Sequence, residues 1–296
     1  MLHVATVITN REDFLLRESH AEELGKALGD LGCKTLERNW LGRAEAFDLT
    51  YDGKLVSGAE LRDAADLTSA PIDVIIQPLA GRAKKLLVAD MDSTIIAQEC
   101  IDEIADTLGL KAKIAPITEA AMQGKLDFKE ALFERVALLK GATKGQLQQV
   151  FDERVRFNPG ARTLIKTLKN NGIKTALVSG GFHFFTDQIK AALGFDDVRA
   201  NRLQFEGDVL TGAVDEPIID SKAKRDFLLK LSAGKPERTI ALGDGANDIP
   251  MFKAAGLSLC YHGKPIAEEA ATGRIRYSTL KGVLYILGFR ETTFQQ

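Results

Sequence analysis

Two acidic clusters sit directly behind short apolar runs. Asp90-Met91-Asp92-Ser93-Thr94 follows Leu86-Leu87-Val88-Ala89, and Gly243-Asp244-Gly245-Ala246-Asn247-Asp248 follows Thr239-Ile240-Ala241-Leu242. Such runs read as buried strands, and in α/β sheets the residues just past the strand ends face the ligand. Carboxylates placed there can hold a hard divalent cation beside a carboxylate left bare, which suits phosphoryl transfer. A carboxylate can also attack phosphorus, splitting one difficult hydrolysis into two displacements through an aspartyl-phosphate. Asp90, at the end of its strand, is the candidate nucleophile. Residues two apart in extended chain project alike, so Asp92 faces the same pocket and suits a general acid that later acts as base. Asp, Ser and Thr also cap helices well, so the first cluster alone fits a helix start about equally. The second cluster tips the balance.

In Gly243–Asp248 the glycines permit close backbone approach and Asp244 supplies an oxygen ligand. Mg2+ takes few protein carboxylates and keeps waters or phosphate oxygens elsewhere, a demand met by Asp90, Asp244 and the backbone carbonyl of Asp92. A Gly-Asp-Gly tripeptide is often a hairpin turn. Here it lies between a buried-strand run and the helix-like residues 249–255, which argues for strand–loop–helix. Ser179-Gly180-Gly181 has the same setting, after Ala176-Leu177-Val178 and before residues 184–193. A hydroxyl and N–H groups at a helix start suit phosphate oxygens.

Cations are expected opposite that charge. Lys224 shares a helical sector with Phe227, Leu228 and Leu231, whereas Lys222 and Arg225 fall outside it. A snorkelling lysine is the plain alternative. Arg135 lies toward the face made by Phe128, Leu132, Val136 and Leu139, beside Ala131. It either grips a ligand carboxylate in bidentate fashion or closes a buried ion pair. On the same kind of wheel Glu99 lies opposite Ile101, Ile104, Ala105 and Leu108, and reads as a solvated acid. His183 reads as incidental.

The elements that would hold these residues fall in two parts. Residues 1–80 read as strand 3–9, helix 15–31 ending at Gly32, strands 33–40 and 44–51, helix 59–67 and strand 71–77. That βαββαβ order predicts a small ferredoxin-like α+β domain, with the boundary near residues 78–82. Residues 81–296 alternate strand and helix, which predicts an α/β, Rossmann-like, mainly parallel sheet. Its strands are Leu86–Ala89, 174–178, 239–242, Leu257–Tyr261 and, more weakly, 275–278. Residues 97–155 read as wholly helical (100–108, 127–140, 143–153), and Asp127 with Glu130 fits a capping box. A helical insert directly behind the first catalytic strand predicts a cap over the sheet edge.

Composition sets the class. The 296 residues are 45% hydrophobic and 27% charged, as in soluble globular proteins. Lys+Arg 39 against Asp+Glu 41 leaves a net charge of −2, with no bias toward nucleic acid or an anionic membrane. No apolar run approaches the ~20 residues of a span, and no signal-type segment opens the sequence. Cys33, Cys100 and Cys260 show no metal spacing, and their odd number argues against a disulfide framework; a reducing, cytoplasmic setting is expected.

The set Asp90–Thr94, Ser179-Gly180-Gly181-Phe182, Lys224 and Gly243–Asp248 resembles that of the haloacid dehalogenase-like phosphatases, over about residues 85–285. Ala200-Asn201-Arg202-Leu203 and the cap stretches Leu126-Asp127-Phe128 and 134–140 narrow the resemblance to members acting on O-phosphoserine. It implies Asp90 as nucleophile and Asp92 as general acid/base. Mg2+ would sit on Asp90, the Asp92 carbonyl and Asp244; Ser179, Gly180 and Lys224 would bind the phosphoryl group. Asn247 and Asp248 would complete the site, one near substrate and one supporting metal or lysine. In the cap it implies Glu99 for the substrate amine and Arg135 for its carboxylate, with Met122 and Phe128 lining the pocket. It thereby overrides the wheel reading of Glu99. Residues 1–80 resemble ACT-like regulatory domains in topology. A small-molecule substrate is implied, with no nucleic acid or membrane partner, and a homodimer is allowed.

Overall fold

The protein is represented by a computed structural model that describes residues 1–122 and 126–296, without the side chains of Ala121 and Met122. The expectation for Met122 therefore lies outside the described residues.

The chain begins with β1 (Leu2–Ile8), α1 (Glu18–Asp30), β2 (Lys34–Gly42), β3 (Ala46–Asp52), α2 (Gly58–Ala64) and β4 (Asp73–Pro78). The strands form an antiparallel sheet ordered β2-β3-β1-β4, the ferredoxin-like arrangement. Every residue of β1 after Leu2 is buried, because both faces of the sheet are covered. Ala5 and Val7 pack with Leu24, Leu28 and Leu61 of the two helices. Ile8, Leu41, Ala46 and Ile75 instead join the core of the second half. Helix α1 starts at Glu18, later than composition suggests, because Arg17 is extended and its N–H is taken by His20 Nδ1 at 3.1 Å.

The second half runs through β5 (Leu86–Ala89), α3 (Cys100–Thr107), α4 (Lys111–Met122), α5 (Phe128–Leu138), α6 (Lys144–Arg154), α7 (Ala161–Asn170), β6 (Lys174–Phe182), α8 (His183–Leu193), β7 (Asp197–Asn201), β8 (Leu203–Glu206), β9 (Val209–Val214), α9 (Ser221–Leu231), β10 (Thr239–Gly243), α10 (Ile249–Ala254), β11 (Leu257–Tyr261), α11 (Pro265–Ala270), β12 (Gly273–Ile275) and α12 (Gly282–Ile286). Six parallel strands line up as β12-β11-β10-β5-β6-β7. From β5 the chain moves on to β6 on one side, while β10 pairs on the other. The order therefore reverses between β5 and β10, where a crevice opens at the strand ends. Leu242 is level with Ala89, and Asp90 N donates to Leu242 O at 2.8 Å, so both acidic clusters emerge side by side.

Helices α3 to α6 form the insert behind β5. Asp127 and Thr143 cap α5 and α6 through reciprocal boxes with Glu130 and Gln146. The β8–β9 hairpin, which the sequence does not announce, braces this insert: Gly141 N bonds Leu210 O, Leu210 N bonds Ala142 O and Lys144 N bonds Asp208 O. Its strands are short and mixed in polarity, so no period marks them. Strand β7 escapes sequence reasoning for the same reason.

Two strand bounds need correction. β6 continues past Val178 to Phe182, with its register broken between them, so Ser179-Gly180-Gly181 sits in an irregularity of the strand. The last strand covers Gly273–Ile275 rather than 275–278. The N–H groups of Arg276, Tyr277 and Ser278 turn instead to the buried carboxylate of Asp73 on β4, at 2.9–3.0 Å.

Candidate active site

The crevice is a cavity of about 610 Å3 whose lining includes Asp90, Asp92, Ser179, Gly180, Asp244 and Asn247 from the sheet, and Glu99, Phe128 and Arg135 from the insert. Lys224 and Asp248 lie beneath this floor, 1% and 0% exposed. Every described residue expected of the site is thus in or directly under one cavity.

Asp90 is 3% exposed, with Oδ2 at 2.5 Å from Lys224 Nζ and 3.4 Å from Asn247 Nδ2. Lys224 also meets Asp248 Oδ1 at 2.9 Å. It belongs to the buried face of α9 with Phe227 and Leu228, which removes the snorkelling alternative. Asp248 Oδ2 accepts the N–H groups of Asp244 and Gly245, both at 3.2 Å, and so folds the loop back on itself. That fold needs glycine at 243, where a Cβ would lie 2.3 Å from Asp248 Oδ2. Carboxylate oxygens of Asp90, Asp244 and Asp248 lie within 4.8 Å of one another.

Three buried carboxylates against one ammonium leave two negative charges in excess. Burial first, then Asp248, hold the Asp90 carboxyl well above its ordinary range. Burial, then Asp248 and Glu99, push Asp244 up to about 6. Burial alone would lower the Lys224 ammonium, but Asp248 and Asp90 outweigh it and hold it raised. An all-oxygen set with unbalanced charge fits a hard divalent cation.

Asp92 points to the other side of the cavity. Its Oδ1 accepts Cys100 N–H at 3.0 Å and its Oδ2 accepts the Ser179 hydroxyl at 3.2 Å, while burial raises its carboxyl. Ser179 Oγ in turn accepts Gly181 N–H at 2.8 Å. The Gly181 amide is therefore turned inward, which corrects the expectation that the whole Ser-Gly-Gly stretch presents N–H groups to a ligand.

The wheel reading of Glu99 as a solvated acid holds for its exposure but misses that it lines the cavity, because Glu99 is not on the helix. It is the extended residue before α3, so its side chain does not follow the helical period. It is solvent-accessible through the cavity it lines and receives the Ser93 hydroxyl at 2.8 Å. The protein mass around it, then the Asp92 charge, push its carboxyl up to about 7. Arg135 Nε donates to Ala131 O at 3.0 Å within α5. Among the described residues no carboxylate pairs with it within 4.0 Å, so the buried-ion-pair reading is not realised. Phe128 reaches over Gly180. His183 lies outside the cavity and accepts Ala200 N–H.

Three residues join the site with no role read from sequence, although Thr94 and Asn201 lie within the stretches that carry the family resemblance. Thr94 Oγ1 donates to Asp244 Oδ1 at 3.2 Å. Asn201, on β7, bonds Gly180 O at 2.8 Å and Ile219 N at 2.7 Å, and so fixes the Ser-Gly-Gly bulge. Lys264 lines the cavity, and its N–H donates to Asp244 O at 2.8 Å.

The family model for haloacid dehalogenase-like hydrolases matches residues 87–253, and a second of the same description matches residues 221–287. The chain belongs to the haloacid dehalogenase-like hydrolases. A phosphoserine phosphatase of Albidiferax ferrireducens is 49% identical over 215 residues, which span 70% of this chain and 91% of that protein. The solved structure of a haloacid dehalogenase family hydrolase from Salmonella enterica serovar Typhi has a TM-score of 0.85 at 31% identity, covering 97% of this chain and 98% of that one. A phosphoserine phosphatase solved as a phospho-aspartyl intermediate analogue has a TM-score of 0.63 at 41% identity, over 69% of this chain and 98% of that one. Phosphatases of this family generally use a metal ion, in keeping with the carboxylate cluster. Among the described residues, no helix is long and apolar enough to cross a membrane.

The raised carboxyls make metal binding pH-dependent. Asp244 titrates near 6 instead of 3.8, so its ionisation costs the metal-free fold stability that is intact below about 4 and lost as pH rises through about 6. A divalent cation reverses that cost only where the carboxylate is ionised. The rise in Tm on adding 5 mM Mg2+ is therefore expected to grow from pH 5 to pH 8. A scanning-fluorimetry series showing the same rise at every pH would remove Asp244 from the metal set.

Proposed function

We propose that this chain hydrolyses O-phosphoserine to serine and phosphate through an aspartyl-phosphate on Asp90, the last step of serine biosynthesis. One observation carries the reading. The cavity joins a buried carboxylate cluster to an arginine with no carboxylate partner among the described residues, and sets Glu99 in the same wall. A phosphate, a carboxylate and an ammonium on one small molecule meet the complementary groups there. The activity named for the relatives agrees with it.

Mg2+ held by Asp90, the Asp92 carbonyl and Asp244, with Asp248 beside them, supplies Lewis-acid neutralisation of phosphoryl oxygens when bound. The chain's own residues do the rest. Asp90 Oδ attacks phosphorus in line, and the bond from phosphorus to the serine oxygen breaks. Asp92, whose carboxyl burial raises above its ordinary range, acts as the general acid and delivers a proton to that oxygen. Asp92, now a carboxylate, takes a proton from the water that attacks the phosphorus and frees Asp90. Lys224, the Ser179 hydroxyl and the Gly180 N–H stabilise the equatorial oxygens, and Asn247 lies near the substrate. Glu99 receives the ammonium, Arg135 the carboxylate, and Phe128 lines the pocket. Insert closure limits water during the first step.

Residues 1–80 are proposed as an ACT-like regulatory domain, and residues 81–296 as the phosphatase domain with its cap at about 97–155. The βαββαβ sheet supports the first and the insert behind β5 the second. Three buried free cysteines support a reducing, cytoplasmic setting.

Arg135→Ala tests substrate identity. Loss of a charge-assisted bidentate contact should raise KM for phosphoserine about 10–100-fold. For p-nitrophenyl phosphate, which lacks a carboxylate, KM should stay nearly constant. Equal changes for both substrates would take Arg135 out of recognition.

A further inference from the structure

Asp244 is held from behind by a loop that the N-terminal sheet in turn holds. Lys264 N–H donates to Asp244 O at 2.8 Å. Gly263 lies flat against the same peptide, since a Cβ there would be 2.5 Å from Asp244 O and 3.0 Å from its Cα. Immediately before it, His262 takes a left-handed φ of 44°, which a histidine holds only when its surroundings fix it. Two contacts do so: His262 N donates to Ile275 O at 2.8 Å, and His262 Nε2 lies 3.1 Å from Ser278 O. A carbonyl only accepts, so Nε2 carries the proton. The segment bearing Ser278 is gathered by one carboxylate of the first sheet. Asp73 Oδ1 takes Arg276 N–H at 2.9 Å, and Oδ2 takes those of Tyr277 and Ser278 at 3.0 Å. Asp73 is 3% exposed, so nothing from solvent replaces it.

We propose that Asp73 and His262 are positioning residues for the cation site: the Asp73–(276–278)–His262–(263–264) chain fixes the Asp244 backbone, and through it the carboxylate that takes the metal. This rests on Asp244 being a metal ligand. It makes the N-terminal layer part of the catalytic apparatus through specific hydrogen bonds rather than through packing alone. Outer partners that orient a metal ligand typically matter 10–100-fold in affinity, and a partner this remote should sit near the lower end.

The test is direct Mn2+ titration of the full chain, followed by electron paramagnetic resonance without substrate. Asp73→Asn keeps the shape but offers an N–H where an N–H must be accepted. It should weaken Mn2+ binding about tenfold. KM for phosphoserine at saturating Mg2+ should change less than about twofold. His262→Asn tolerates the left-handed backbone but is too short to reach Ser278 O; on an exposed residue it spares the core, and should weaken Mn2+ binding about threefold. Arg82→Met is the control. Arg82 also ties the two halves together, to Asp48 at 2.7 and 2.9 Å and to Ile286 O at 2.9 Å, but touches no residue of the Asp244 chain. It should lower Tm with Mn2+ affinity unchanged. Affinity preserved in both Asp73→Asn and His262→Asn, or lost equally in Arg82→Met, would overturn the proposal. No Mn2+ binding by the unmodified chain would overturn the metal reading itself.

Discussion

Asp90→Asn is expected to lower kcat for phosphoserine by at least about 10^4-fold, since an amide is no nucleophile toward phosphorus and nothing else in the cavity replaces it. The same change should not weaken the fold. Burial and the neighbouring Asp248 make the Asp90 carboxylate costly, and a neutral amide of equal size removes that cost. Metal-free Tm should stay level or rise by a few degrees, although Lys224 loses one partner. Phosphate release measured beside a thermal melt separates the two claims. Near-normal turnover would sink the nucleophile assignment, and collapse of the fold would mean that Asp90 serves mainly as a structural anchor.

Lys224→Met is expected to do the reverse and damage both activity and fold. Removing the ammonium leaves the buried carboxylates of Asp90, Asp244 and Asp248 facing one another without a protein cation among them. Breaking a buried pair in this way costs about 3–5 kcal/mol. In a chain of this size that is roughly 5–8 °C in Tm. The deficit has a definite pH dependence. The raised carboxyls of Asp90 and Asp244 regain protons as pH falls, which relieves the repulsion. The Tm difference from wild type should therefore be larger at pH 8 than at pH 5. Saturating Mg2+ should restore part of the stability but not the turnover, because the cation replaces charge and not the contact to the phosphoryl oxygens. A Tm difference that is constant across pH would show that Lys224 acts through packing alone.

Several features were legible because they are local in the chain. An apolar run that ends in Asp announces a strand end. Lys224 betrays itself by sharing a sector with Phe227 and Leu228, an anomaly visible on any helical projection. Asp127 announces its helix through Glu130, three residues further along. Glu99 shows where this reasoning stops. The expected helix already starts at 100, so a helical projection does not describe Glu99, and tertiary packing sets the side chain of this extended residue before the first turn.

The sequence alone determined the α/β class, the two acidic strand ends, the helical insert and the buried lysine, because strand and helix periods and cap residues act over a few neighbouring positions. Tertiary structure alone decided that β5 and β10 are adjacent, that Asp248 shares Lys224 with Asp90, and that Asn201 fixes the Gly180 carbonyl. It alone decided, too, that Asp73 draws residues 276–278 out of the last strand. Those outcomes depend on which buried donor finds which acceptor across long stretches of chain, and every competing pairing leaves some polar group unsatisfied in the interior. No local pattern encodes that choice, and only the closed packing of the whole fold makes it.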